Sequence, residues 1–392
     1  MDGDRARAAL VQQVHAAAGL GVLAVTGGGS LAISDLLAQP GASRTVLEAI
    51  VPYASSALVD WLGGAPDHFC SSDTARAMAM AGYRRAQRLS GASTENTAPP
   101  ALFGLGCTAS LASDRPKRGP HRVHLAVQTA DATLTHSLTL EKGARSRPEE
   151  ERLVADLALN LLAELCGAPP LALAFRAGEQ IEEQRTSAPL AWQRLLAGEV
   201  AAIGRADASS DWHELGQPRP NSPAKLLFPG AFHPLHDGHR RMAEVAAAEL
   251  GRPVEFEISI ENVDKPPLDF SEQARRAEQF AGAPLWFTRA PTFREKSRLF
   301  PGATFVVGAD TIERIGEPRY YGSEAARDAA LRDLAAAGAR FLVFGRLVGG
   351  RFVGLDGLQL PPALRRLCQG IPAERFRQDI SSTELRRQQT VD

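Results

Sequence analysis

The residues best suited to chemistry lie between Lys225 and Arg241, where the chain reads KLLFPGAFHPLHDGHRR. Three of the nine histidines, His233, His236 and His239, fall there beside Gly230 and Gly238. An apolar run, Leu226-Leu227-Phe228, leads in, and an alanine-rich segment from Met242 to Leu250 leads out. The order is strand, glycine-containing turn, helix. The first amides of such a helix have no partner inside it, and the helix dipole adds positive potential, so the turn predicts an anion site. Histidines on the turn can donate hydrogen bonds to phosphate and stabilise charge that grows during phosphoryl-type transfer. Two other readings are a zinc cluster and a solvated loop. Against the first, Pro234 stands between the first two histidines and opposes one continuous helix face of ligands.

GAFHPLHDGH also fits the pattern G-x-F-x-P-x-H-x-G-H. In this the stretch resembles the HxGH nucleotidyltransferase superfamily. A second segment strengthens the resemblance: Ile380-Ser381-Ser382-Thr383 followed by Arg386 is similar to the superfamily's ISSTxxR signature. Serine and threonine at a helix start can cap it or offer hydroxyls and amides to a phosphate, and an arginine one turn in can add a fork of donors. Gly308-Ala309-Asp310 resembles the G-x-D segment of nicotinate and nicotinamide mononucleotide adenylyltransferases, which implies a ribose contact for Asp310. Its bland alternative is the N-cap of the helix that follows. Lys265, in Asn262-Val263-Asp264-Lys265-Pro266-Pro267, matches a proline-lysine loop of those enzymes in a different register, and Arg275 follows on the next helix. Trp286, Phe287 and Phe293 could stack on a base, although core packing is the commoner duty of strand aromatics.

The resemblance implies ATP as cofactor with Mg²⁺. The reaction would be attack by a mononucleotide phosphate on the α-phosphorus, releasing pyrophosphate without a covalent enzyme intermediate. His236, His239 and Arg386 are then the catalytic candidates. Gly230, Phe232, Gly238, Gly308, Asp310, Ile380, Ser381, Ser382, Thr383 and Lys265 become the nucleotide-binding candidates, and His233 fills a variable slot. Rival readings are a cytidylyltransferase acting on a phosphorylated alcohol and a nucleotide-sensing pseudoenzyme.

The amino-terminal half holds another strand–glycine–helix order: Val22–Val25, then Thr26-Gly27-Gly28-Gly29-Ser30, then Leu31–Leu37. With Pro40-Gly41-Ala42-Ser43, Tyr53, Leu62-Gly63, the helix start at Ser72–Ala81 and Gly106, residues 5–168 resemble the CinA carboxyl-terminal domain, the nicotinamide mononucleotide deamidase family. The family's serine nucleophile position holds Ala24 and its glutamate position Leu23, while the lysine expected after the tyrosine is absent from Tyr53-Ala54-Ser55-Ser56-Ala57-Leu58. Acyl-enzyme hydrolysis needs an activated hydroxyl or thiol. Thr26 and Ser30 are hydroxyls without a neighbouring base in sequence, so these departures imply an inactive deamidase that could still bind a nucleotide or serve as a dimerisation platform, with an active deamidase working through Thr26 or Ser30 as the rival reading. Because both likenesses concern nicotinamide nucleotides, together they imply a place in NAD biosynthesis.

These motifs need elements to hold them. At 392 residues the chain is long enough for two domains. The pattern predicts an α/β CinA-like domain over 1–170, a helical segment and proline-rich linker over 171–222, and a Rossmann-like parallel-sheet domain over 223–392. In the first, strands and helices alternate up to a helix at Pro148–Cys166. In the linker, Glu179–Arg185 reads as a solvated helix face. In the last, strands at Val254–Ile260, Leu285–Thr288, Thr304–Val307 and Arg340–Phe344 alternate with helices at Ser271–Phe280, Phe293–Leu299, Ser323–Ala337 and Pro361–Leu367, predicting ligands at the carboxyl ends of parallel strands. A net charge of −1 gives no broad basic field for nucleic acid. Four scattered cysteines without a CxxC fit a reducing cytosol, and no apolar run reaches the roughly 18 residues that span a bilayer. The expected partners are therefore small nucleotides, with neither nucleic acid nor membrane. The expected location is cytoplasmic, and homo-oligomers could form through the CinA-like half.

Overall fold

The computed structural model describes residues 2–17, 19–91, 101–114, 118–216, 224–262, 265–348 and 351–376. It divides into two compact units, Met1–Gln193 with Asn262–Gln273, and Arg194–Glu261 with Ala274–Asp392.

The first unit runs α1 (Asp2–Ala16), β1 (Gly19–Thr26), α2 (Leu31–Ala38), β2 (Val46–Ile50), α3 (Ser55–Leu62), α4 (Ser72–Ser90), β3 (Ala101–Ser110), β4 (His121–Gln128), β5 (Ala132–Leu140), α5 (Arg147–Cys166) and β6 (Glu182–Ser187). Its sheet has the order β2-β1-β3-β4-β5-β6. The first three strands are parallel, and β3 to β6 form an antiparallel meander. Leu10 and Val14 of α1, Leu36 of α2 and the apolar side of α5 cover one face, against Leu23, Val25, Leu105, Leu125 and Val127. Helix α4 covers the other, and here the sequence dictates a close approach. A Cβ on Gly106 would lie 2.2 Å from the Ala75 carbonyl oxygen, and one on Gly104 would lie 2.0 Å from that of Ala79. The short stretch from Asn262 to Gln273 belongs to this unit. Asp269 pairs with Arg76 at 3.2 Å, and the Phe270 amide donates to Thr133 Oγ1 at 3.0 Å.

After α6 (Leu190–Ala197), the second unit contains β7 (Ala202–Arg205), β8 (His213–Glu214), β9 (Leu226–Pro229), α7 (Asp237–Leu250), β10 (Val254–Ser259), the later part of α8 (Phe270–Glu278), β11 (Leu285–Thr288), α9 (Phe293–Leu299), β12 (Thr304–Gly308) and α10 (Ala309–Gly316). It ends with α11 (Glu324–Ala336), β13 (Arg340–Phe344), the hairpin β14 (Arg346–Val348) and β15 (Arg351–Val353), α12 (Pro362–Arg365) and β16 (Cys368–Ile371). The main sheet has the order β16-β13-β12-β9-β10-β11-β7-β8. All its neighbours are parallel until β7, which runs antiparallel to β11. The chain thus winds one way from β9 to β11 and the other way from β12 to β16, so the topological switch point lies between β9 and β12. Those two pair through Leu226–Thr304 and Leu227–Phe305, near their amino ends. In doubly wound sheets the ligand crevice opens at this point, beyond the carboxyl ends.

The mixed α/β class and the parallel sheet agree with the sequence pattern. Two expectations are corrected. The charged run at 179–185 does not form a helix: Glu182–Ser187 is an exposed strand zipped onto β5, because an unpaired sheet edge offers those backbone groups partners that a solvated helix would have to supply alone. The second unit begins at Arg194 rather than after residue 222, since Ala202–Arg205 adds a strand to β11. Cys368–Ile371, unforeseen, closes the far edge beside β13. No helix among the described residues is long and apolar enough to cross a membrane.

The α4–β3 contact yields a test. Gly106→Val should cost the first unit about 3 kcal/mol or more, because backbone rather than a pliable side chain blocks the new atoms. Gly119→Ala, where nothing lies within 4 Å, should be near neutral. Urea unfolding of both variants reads the difference, and equal stabilities would refute the packing.

Candidate active site

Helix α7 starts beside the switch point, and its first turn is capped by imidazoles. His236 is the N-cap residue, with its Nδ1 accepting the Gly238 amide at 3.1 Å. His239 answers as the third residue of a capping box, its Nδ1 accepting the His236 amide at 3.3 Å. The two rings stack with centroids 3.7 Å apart and an interplanar angle of 27°. His233, before them, has its Nδ1 2.9 Å from Nη2 of Arg275. Backbone amides and guanidinium groups can only donate, so all three Nδ1 atoms act as acceptors. The tautomer follows: each neutral ring carries its proton on Nε2. Nε2–H donors beside the start of a helix are chemically suited to an anion.

Burial keeps two of these rings neutral. It lowers the pKa of His236, with Asp237 working weakly the other way. For His239, burial and then the neighbouring His236 push the value down to about 4. Phe232 packs against the His239 ring. Its ring lies 5.0 Å from that of His239, edge to face, and packs on Phe256 and Phe280 at 5.4 and 5.3 Å. Phe232 was a candidate to touch nucleotide; it is 2% exposed and floors the histidines instead. Its φ of 45° lies in the left-handed region that bulky residues avoid, so the aromatic packing holds a strained backbone at the turn. Gly230 is required by the same ring, since a Cβ there would come within 2.7 Å of it.

Residues that the motif does not announce hold the turn in place. The Gln279 side chain accepts the Leu235 amide at 2.7 Å and donates to the Phe232 carbonyl at 3.1 Å. Arg276 Nη1 donates to the Ala231 carbonyl at 2.9 Å. At the root, Pro229 has no N–H to donate, so the bond from the Gly230 amide to the Glu257 carbonyl, 3.0 Å, fastens the turn to β10. The Glu257 carboxylate is itself buried, held by Lys296 Nζ at 2.7 Å to each oxygen and by Thr288 Oγ1 at 2.5 Å. The sequence signal for α8 was a polar helical face, with Arg275, Arg276 and Gln279 at helical spacing. Nothing in one sequence marked which loop that face would meet.

The remaining candidates divide. Gly308 ends β12, and nothing lies within 4 Å of the position a Cβ would take. It is also the N-cap residue of α10, which displaces the expectation that Asp310 caps that helix. Asp310 sits in the first turn, with its carboxylate paired to Arg346. Lys265 belongs to the first unit, its side chain beside Gly64, and not to the unit that carries the histidines. Trp286, Phe287 and Phe293 are core residues, packed on Phe300, Trp212 and Phe305 respectively. Ile380, Ser381, Ser382, Thr383 and Arg386 lie outside the described residues.

The glycine turn of the first unit is built differently. A carboxylate of its own chain fills it: Glu151 accepts the Gly29 amide at 2.9 Å, the Leu31 amide at 3.2 Å and the Ser30 hydroxyl at 3.0 Å. Burial raises the Glu151 carboxyl, but the bonds from Gly29, Leu31 and Ser30 and the charge of Arg147 outweigh it, so the pKa ends below the usual carboxylate range. Such a carboxylate is a weak base for Ser30. Thr26 donates its hydroxyl to the Pro52 carbonyl at 3.1 Å, and Ala24 is fully buried. A cleft of about 230 Å³ lies beside the turn, lined by Thr26, Gly27, Tyr53, Ser55, Cys70 and Thr108 among others.

Comparison with known proteins bears on the second unit. Residues 227–388 match the family model described as cytidylyltransferase-like, so this part of the chain is similar to nucleotidyltransferases. The comparison with curated proteins gives no match. Among solved structures, the crystal structure of competence/damage inducible protein CihA from Agrobacterium tumefaciens is similar at 20% identity, over 42% of this chain and 96% of that one, with a TM-score of 0.31.

The tautomers and the depressed pKa are open to measurement by ¹⁵N NMR of the imidazoles. His236 and His239 should show protonated Nε2 at neutral pH, and His239 should titrate near 4. The sign for stability follows from a folded-state value below the unfolded one of about 6.5. As pH falls from about 6.5 towards 4, the unfolded chain takes up a proton that the folded ring refuses, so stability declines across that window. A His239 midpoint near 6.5 would contradict the buried, acceptor geometry.

Proposed function

We propose that the second unit catalyses nucleotidyl transfer, moving AMP from ATP to a nicotinate or nicotinamide mononucleotide. A phosphate oxygen of the acceptor forms the new bond to the α-phosphorus, the bond from that phosphorus to the bridging oxygen breaks, and pyrophosphate leaves. The observation that carries this reading is the stacked pair of imidazoles, His236 and His239, whose Nδ1 atoms accept backbone amides at the start of a helix beside the sheet's switch point. Catalysis then consists of positioning and charge stabilisation, with no covalent intermediate.

His236 and His239 donate to the triphosphate as its charge shifts towards the leaving pyrophosphate. Because both have lowered pKa values, they do so as neutral donors whose bonds do not depend on taking up a proton. Asp310, on the other side of the crevice, is the candidate acceptor for ribose hydroxyls, and Ser381, Ser382, Thr383 and Arg386 are the candidates for the β- and γ-phosphates. The donor set around the histidine turn is rich in N–H groups, which suits phosphates rather than a cage of carboxylates for a cation. Mg²⁺ would supply further neutralisation of the triphosphate.

The description of the matched family favours a second reading, transfer of CMP from CTP to a phosphorylated alcohol. Pyrophosphate release across ATP or CTP with each class of acceptor separates the two. In the productive pair, His239→Ala should lower kcat by about 100-fold or more while the unfolding transition stays in place. No release by the unmodified protein with any pair would leave a nucleotide-sensing role instead. We assign the first unit no hydrolytic step, consistent with a glycine turn filled by Glu151. Ammonia release from nicotinamide mononucleotide would overturn that assignment.

A further inference from the structure

Each histidine of the turn is placed by its backbone, so the group that fixes that backbone matters as much as the rings. Between Phe232 and His236 the chain runs through Pro234, which has no N–H, and regular secondary structure begins again only at Asp237. The turn must therefore borrow hydrogen-bond partners from outside. The Gln279 carboxamide supplies two, one in each direction: its Oε1 takes the Leu235 amide and its Nε2 gives to the Phe232 carbonyl. These two atoms bracket His233 and Pro234. The amide group lies just beyond α8 and is partly buried, while the next residue, Phe280, packs its ring against Phe232. A single planar side chain thus spans the turn at both ends, beside the aromatic residues packed on His239.

We propose that Gln279 is a positioning residue for the nucleotidyl-transfer site, setting the separation and stacking of His236 and His239 through the backbone of Phe232 and Leu235. The claim rests on the reading of this turn as a triphosphate site, but its geometric part stands independently. Gln279 touches no reacting atom. Its two bonds are directional, so its neighbours respond differently to each replacement. Glutamate keeps the acceptor for Leu235 and turns a second oxygen towards the Phe232 carbonyl, losing one bond and adding repulsion. Alanine loses both.

The test uses the full chain with Gln279→Ala and Gln279→Glu, followed by two readouts. In the first, imidazole ¹⁵N and ¹H resonances report the His236–His239 stacking. Both variants should shift the His239 signals and move its titration midpoint upward from about 4, as the ring loses its fixed place over Phe232. In the second, pyrophosphate release should show kcat lowered by about 100-fold in Gln279→Ala, with a smaller change in KM. Unchanged His239 resonances in a folded variant overturn the proposal whether or not any substrate turns over. Shifted resonances with an undiminished kcat overturn it as well. If the unmodified protein turns over nothing, the transferase reading fails and the resonances alone decide the positioning claim. Should Gln279→Ala unfold, Gln279→Glu carries the same readouts, since it retains the bond to Leu235.

Discussion

The second unit depends on one arrangement: imidazole lone pairs satisfy backbone N–H groups at the start of α7. A helix leaves its first amides without partners, and serine, threonine, aspartate or asparagine is the usual remedy. Here His236 caps and His239 caps back. An imidazole that accepts at Nδ1 must hold its proton at Nε2, on the opposite side of the ring. Capping through Nδ1 and an N–H donor at Nε2 are consequently one arrangement. A hydroxyl or carboxylate cap would stabilise the helix as well but would leave no N–H donor behind it. The spacing of His236 and His239, three residues apart, is the spacing of a capping box, which gives a physical reason for the fixed interval.

The two units solve the same local problem in opposite ways. Both place a strand, a glycine turn and a helix in succession, and both generate amides that seek an anion. In the first unit the chain supplies that anion itself, through Glu151 of α5, held by Gly29, Ser30 and Leu31. In the second, the His236 and His239 rings satisfy amides while remaining neutral, so the positive end of α7 is not cancelled by a fixed negative charge of the cap. Asp237 in the first turn offsets part of the potential from the solvent side, being exposed. Filled by its own carboxylate, one turn has its potential neutralised; capped by neutral rings, the other keeps the positive potential of its helix start.

Much of this was legible in the sequence, for identifiable reasons. The alternation of apolar runs and helical patterns marked the central strands of both sheets but not their edge strands, because buried strands must be apolar whereas edge strands need not be. The spacing of His233, His236 and His239 around Pro234 marked the turn. What stayed hidden depends on contacts between residues distant in the chain. Glu182–Ser187 reads as a solvated charged segment, and only the free edge of β5 makes it a strand. Phe232 stands inside the motif and so looks like a ligand contact, yet its neighbours Phe256 and Phe280 turn it into the floor of the site. Gln279 lies outside any motif. Its role exists because α8 brings it to the turn, a matter of tertiary packing that spacing in one sequence does not encode.

The Lys296–Glu257 pair extends this reasoning to the sheet itself. Burying two charges costs several kcal/mol per ion before their attraction is counted, so a hydrophobic pair of the same volume would serve a merely stable core at least as well. The pair persists at the strand whose carbonyl holds Gly230, with Thr288 completing the carboxylate. Charged hydrogen bonds are directional where apolar contacts are not, and they fix β10, β11 and α9 in one register. Placed one residue pair from the root of the histidine turn, that directionality sets where Gly230 emerges from the sheet. Rigidity of the strand then passes to Gly230, from Gly230 to the strained Phe232, and from Phe232 to the ring of His239.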